Sequence, residues 1–209
     1  STVSGLGDVY KRQKSYLLFL EKGVYSSMML ENGSLLYKKY LESKVDFFYG
    51  IKDNIRKNLL VRPHLVTIFE EEYHEIERWR ALNIDIEFDL SIGGFQKSVS
   101  ISKLTVCFYH GTAFLEMLAA NVPTVCYMDG LNTLSKNGED AYEILFNAGI
   151  CHKSAQSLAY KVNAHWDDVA TWWYSSSVQN ARNEFCSQHL RISKNPSSDL
   201  KRLVLSQLS

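Results

Sequence analysis

No apolar run in the 209-residue chain approaches the roughly 18 to 20 residues of a helical membrane span, and no basic-then-apolar signal peptide opens it. An excess of charge of either sign is missing too. Lys and Arg number 23, as do Asp and Glu, so no global field attracts nucleic acid or an anionic membrane, and affinity for phosphate must come from local pockets. The four cysteines, Cys107, Cys126, Cys151 and Cys186, form no C-x-x-C pair, and two of them sit inside apolar runs, the pattern of reduced core thiols. A cytoplasmic location, or a peripheral one at the inner face of the membrane, is therefore expected. G-x-G-x-x-G, Walker A and G-x-S-x-G motifs are all lacking, which argues against dinucleotide oxidoreductases, P-loop enzymes and α/β-hydrolases. His64 and His110 have no second ligand at metal-binding spacing on their own elements, so no metal site is expected.

What the chain does contain is a hydrophobic share of 45%, enough for one sizeable core, or one core plus a helical appendage. Short runs rich in β-branched and aromatic residues alternate with longer stretches of helical period, the pattern of repeated βα units. Strands are predicted at Tyr16–Leu20, Leu59–Val61, Ile84–Phe88, Leu104–Phe108 and Val122–Tyr127. Leu36, Tyr40, Phe47, Phe48, Ile51 and Ile55 mark a long helical stretch with a break near Ser43, and Tyr73, Ile76 and Trp79 mark one face of a helix over Glu70–Leu82. A loop at Asp129–Asn132 precedes helices at Asp140–Ala148, Ser154–Trp166 and Ser177–Leu190. The fold class is thus α/β, a Rossmann-like doubly wound parallel sheet of about five strands with C-terminal helices. Residues Ser4–Gln13 resemble a translated adapter, with a flexible native terminus as the alternative, and residues 1–13 are set apart as a leader. Residues 14–209 form one domain, with no repeat and no Gly- or Pro-rich linker to divide it.

The segment Leu104–Val125 reads as strand, tight turn, helix, short turn and strand. That order puts Gly111 and Thr112 at the carboxyl end of a parallel strand, where open α/β sheets bind ligands. Gly111 permits close backbone approach, Thr112 offers a hydroxyl, and the helix start offers unpaired N–H groups to a phosphate. An ordinary turn and cap would use the same residues. Glu116, the one charge in an apolar helix, lies a turn beyond Thr112 on the same face; it either accepts hydrogen bonds from ribose hydroxyls or merely touches water. At the end of Leu59–Val61, Arg62-Pro63-His64 supplies a guanidinium fork and an imidazole suited to phosphate, or a surface turn. Trp166, Trp172 and Trp173 suit the core better than a sugar platform.

Together, Val61-Arg62-Pro63-His64, the run from His110 to Val125, and Trp172-Trp173 followed by Ser177 to Cys186 resemble a family of bacterial transferases encoded with surface-polysaccharide and lipopolysaccharide genes. The likeness covers the chain from about Met29 to its end. Members of that family look like two-domain GT-B glycosyltransferases, and this sequence is similar to the C-terminal, donor-binding half. The resemblance implies phosphate contacts from Arg62, His64, His110, Gly111 and Thr112 and a ribose contact from Glu116; it assigns no catalytic residue. His110 falls where many members carry another polar residue, and His64 precedes Leu65 where the CMP-donor pattern has proline. The implied partners are a nucleotide-sugar donor as substrate, a carbohydrate or lipid-linked acceptor, and an N-terminal domain, with no other cofactor and no nucleic acid. A CDP-polyol phosphotransferase and a non-catalytic nucleotide-binding domain are the alternatives.

Overall fold

The computed structural model describes residues 16–21, 32–64, 74–82, 86–128, 136–190 and 195–207. The leader and the loop expected at Asp129–Asn132 lie outside them. Six strands, Tyr16–Leu20 (β1), Leu59–Arg62 (β2), Glu87–Phe88 (β3), Ser102–Cys107 (β4), Thr124–Tyr127 (β5) and Cys151–His152 (β6), form one sheet in the order β3-β2-β1-β4-β5-β6. Every pairing is parallel. The central strand β1, Tyr-Leu-Leu-Phe-Leu, is apolar on both faces because helices cover both; Leu17, Leu18 and Phe19 are fully buried. The doubly wound expectation therefore holds. The strand order reverses between β1 and β4, which makes their carboxyl ends the topological switch point.

Helices Asn32–Gly50 (α1), Asp53–Arg56 (α2) and Glu75–Ala81 (α3) lie in the crossovers from β1 to β2 and from β2 to β3. Phe19 of β1 meets Phe47 of α1 at 5.7 Å and Trp79 of α3 at 5.3 Å, so both helices cover one face. The reversal sends Phe95–Ile101 (α4), Thr112–Ala119 (α5) and Lys136–Asn147 (α6) to the other. Ala155–His165 (α7) returns to pack on α1, and Val169–Trp173 (α8), Ser176–His189 (α9) and Pro196–Gln207 (α10) complete the chain. No described helix is long and apolar enough to cross a membrane.

Two expectations change. The sheet gains a sixth strand, because β6 is only two residues long and is held by main-chain pairing to Cys126 and Tyr127 rather than by an apolar run of its own. The long helix does not break at Ser43: the Ser43 hydroxyl is bonded to the Tyr127 hydroxyl at 2.8 Å, so it does not compete for the helix backbone. α1 ends at Gly50 instead. A Cβ there would lie 2.8 Å from the Ala159 Cβ on α7, and Asn163 of α7 donates to the Gly50 carbonyl (2.8 Å) and accepts from the Lys52 N–H (2.8 Å). Asn163→Ala should therefore cost about 1 kcal/mol in urea unfolding, since both backbone groups lose their partner. An unchanged midpoint would leave the Gly50–Ala159 approach as what ends the helix.

The far end of α5 is held just as specifically. Arg182 of α9, itself buried, donates from Nε to the Leu118 carbonyl (2.6 Å) and from Nη2 to the Ala119 carbonyl (3.0 Å), placing a cation at the negative end of the helix. Asn121 follows in the left-handed conformation at φ 54°, and its side-chain oxygen accepts from Trp173 Nε1 (2.9 Å) and Gln179 Nε2 (3.1 Å). Two of the three sequence segments that carried the resemblance thus meet here. Trp172 and Trp173 are core residues, as expected, with Trp173 fully buried. On the sheet, Cys107, Cys126 and Cys151 stand opposite one another on β4, β5 and β6 as a row of free, buried thiols.

Candidate functional site at the carboxyl edge of the sheet

The turn after β4 begins with Phe108, whose N–H continues the pairing to β1 by donating to the Leu20 carbonyl at 3.0 Å. Gly111 is the N-cap of α5, with extended backbone and no side chain to close the helix start. A Cβ at Gly111 would overlap the Tyr109 ring, so glycine is needed there to let that ring fold over the turn. Thr112 and Glu116 are both exposed and Leu115 is half-buried. Their i, i+3 and i+4 spacing puts all three on one face of α5. Beside Leu115 opens a cavity of about 270 Å³, lined by Gly138, Ala141, Tyr142, Phe185, His189 and Leu190. The His110 ring meets its Tyr142 wall edge-on at 5.9 Å. The composition of that wall was not legible in the sequence, because it is assembled from α5, α6 and α9.

Arg62 ends β2 at the same edge. Leu20 of β1 pairs with Arg62 on one side and Cys107 on the other, which sets the backbones of Arg62 and Cys107 roughly 10 Å apart at the strand spacing of a sheet. The Arg62 side chain turns toward Asp89, directly after β3, on the side of β2 away from β4. It pairs with the Asp89 carboxylate and donates to the Ser91 carbonyl at 3.0 Å and the Ser91 hydroxyl at 3.3 Å. Burial pushes the Asp89 carboxyl up, but hydrogen bonds from Ser91, Ser98 and Arg62 outweigh it and bring the pKa down to about 2. The structure therefore commits part of the Arg62 fork to this network, while His64, two residues on, is half-buried. Among the described residues no three His, Cys, Asp or Glu side chains converge as metal ligands.

A polar cluster that the sequence reading did not assemble sits just past β1. Glu21, Lys44 and Glu75 are all buried. Lys44 Nζ donates to Glu21 Oε1 at 2.7 Å and to Glu75 Oε2 at 2.5 Å; Trp79 Nε1 donates to Glu21 Oε1 at 2.8 Å, and the Tyr37 hydroxyl to Glu75 Oε1 at 2.6 Å. The one available signal was an acid immediately after an apolar strand; its partners lie 23 and 58 residues away. His152, by contrast, is structural. Its Nε2 donates to the Gly149 carbonyl (3.1 Å), which leaves Nδ1 to accept from Ser157 (2.8 Å), and burial lowers its pKa to about 4.

No curated protein matches the chain. A family model described as LIC12162 family transferase matches residues 6–204. With the match running over nearly the whole sequence, the chain belongs to the LIC12162 family of transferases.

Proposed function

We propose that the chain is the donor-binding half of a GT-B glycosyltransferase that builds bacterial surface carbohydrate. The observation that carries this reading is the Gly111-Thr112 turn, which opens a helix at the carboxyl edge of β4 beside the strand-order reversal, the position at which doubly wound sheets take nucleotides. Membership of a transferase family is consistent with it. In this reading the first amides of α5 and the Thr112 hydroxyl hold the donor phosphate, with His110 and His64 alongside. Arg62, anchored by Asp89, contributes the N–H groups that the network does not use. Glu116 accepts from the ribose hydroxyls, and the aromatic cavity beyond Leu115 takes the base. Transfer is driven by stabilising the departing nucleotide phosphate with preorganised dipoles and cations, while the acceptor and its base belong to the other half of the fold.

Calorimetric titration of CMP, CDP, UDP and GDP against wild type, Thr112→Val and Glu116→Gln tests the assignment. One nucleotide should bind. Thr112→Val should weaken it about fivefold through one lost hydrogen bond, and Glu116→Gln about tenfold or more, because bonds to a charged group are worth roughly 1.5 to 3 kcal/mol. Pyrophosphate, which lacks ribose, should distinguish wild type from Thr112→Val but lose nothing in Glu116→Gln. Equal nucleotide affinity in all three proteins would remove the site from α5.

A further inference from the structure

The cluster just past β1 contains two carboxyl groups and one ammonium, all buried. Fully ionised, it would hold an uncompensated negative charge away from water, at a cost of several kcal/mol. The hydrogen bonds show which group is relieved. Both Glu75 oxygens receive donors, one from Lys44 and one from Tyr37, whereas on Glu21 both Lys44 and Trp79 donate to Oε1. Glu21 Oε2 is buried with no hydrogen-bond partner among the described residues. An anionic oxygen in that setting is far more costly than a neutral hydroxyl. From α1, Glu21 is faced by Tyr37 and Lys44, with the Tyr40 ring 5.0 Å from the Lys44 ammonium. From α3 it is faced by Glu75 and Trp79. Arg78 lies beyond them, exposed and stacked on the Tyr37 ring at 5.4 Å.

We propose that Glu21 is a neutral carboxylic acid at neutral pH, its proton on Oε2, and that this proton keeps the β1 lip of the switch-point crevice free of negative charge so that an anionic ligand is accepted there. The second half rests on the nucleotide-binding reading above. Burial holds the Glu21 carboxyl above its ordinary value, with Lys44 opposing and Glu75 reinforcing. A carboxyl raised in the folded state contributes stability that is full below its ordinary pKa of 4.5 and is lost as pH rises through the folded value. Over the same range the lip becomes anionic and repels phosphate.

Infrared difference spectra at neutral pH test the proton without any ligand. Wild type should show the C=O stretch of a protonated carboxylic acid, and Glu21→Gln should lack it. Glu21→Gln should melt close to wild type at about pH 5 and above it at about pH 9, because the amide cannot ionise. Glu75→Gln, which removes the counter-anion of Lys44 while Glu21 holds its proton, should be destabilised at about pH 5. Absence of the band in wild type, or a Glu21→Gln protein as unstable as Glu75→Gln, overturns the proposal. With CDP as probe, affinity should fall about tenfold more between about pH 7 and pH 9 in wild type than in Glu21→Gln, one pKa unit being a factor of ten. Parallel pH profiles would overturn the link to binding. A band present in a protein that binds no nucleotide would sink the donor-site reading and leave the proton in place.

Discussion

Lys44→Met is expected to lower the unfolding free energy by about 3 to 5 kcal/mol at neutral pH, the cost of breaking a buried ion pair from one side. Methionine fills most of the space of the lysine stem, so the loss reports the ammonium rather than a cavity. The ammonium bonds both Glu21 and Glu75; without it the Glu75 carboxylate keeps only the Tyr37 hydroxyl. The Glu21 carboxyl, already raised by burial, loses the cation that opposes that rise, so stability should recover as pH falls toward the ordinary carboxylate range and decline as it rises. Thermal unfolding of both proteins between about pH 4 and pH 8 checks this. A constant difference in melting temperature across that range would mean that packing, and not charge, accounts for the loss.

Arg182→Ala is expected to cost about 2 to 4 kcal/mol, because two bonds from a cation, one to a buried and one to a part-buried carbonyl, are lost together with the packing of the arginine stem. The Ala119 carbonyl would lose its bond to the guanidinium, and the Leu118 carbonyl would keep only main-chain donors such as the Asn121 N–H at 3.1 Å. Arg182→Lys should recover only part of the loss, since an ammonium cannot reproduce the planar fork that reaches both oxygens. Denaturant unfolding of the two variants decides it. If lysine restores full stability, the contribution is charge at the helix end alone. The same end carries the Asn121 contacts to Trp173 and Gln179, so effects of Arg182→Ala and Gln179→Ala should not add.

The strands were legible wherever an apolar run of β-branched and aromatic residues was long enough to show itself. β1, β2, β4 and β5 fall within or beside the predicted segments, whereas β6 has two residues and no pattern. Helix periodicity found α1, but its end depends on Asn163, more than a hundred positions away. The turn at Gly111 and Thr112 was legible because strand, glycine, hydroxyl and apolar helix are contiguous in the chain. The engagement of Arg62 with Asp89 was not, because the partner comes from the end of the neighbouring strand β3, 27 residues on. The same holds for Glu21, whose meaning depends on Lys44, Glu75 and Trp79 arriving from two helices. Short-range pattern reveals which residues line an edge; it does not reveal which of them are already bonded to one another.

The row of cysteines across β4, β5 and β6 has a practical consequence. Burial pushes the Cys107 thiol up to about 12 and raises Cys126 as well, so neither offers a thiolate to an alkylating reagent while the sheet is closed. Modification of these positions must wait for the strands to separate. The rate at which they are labelled in native buffer therefore counts openings of the sheet, giving the protein an internal clock for its own breathing that needs no engineered cysteine.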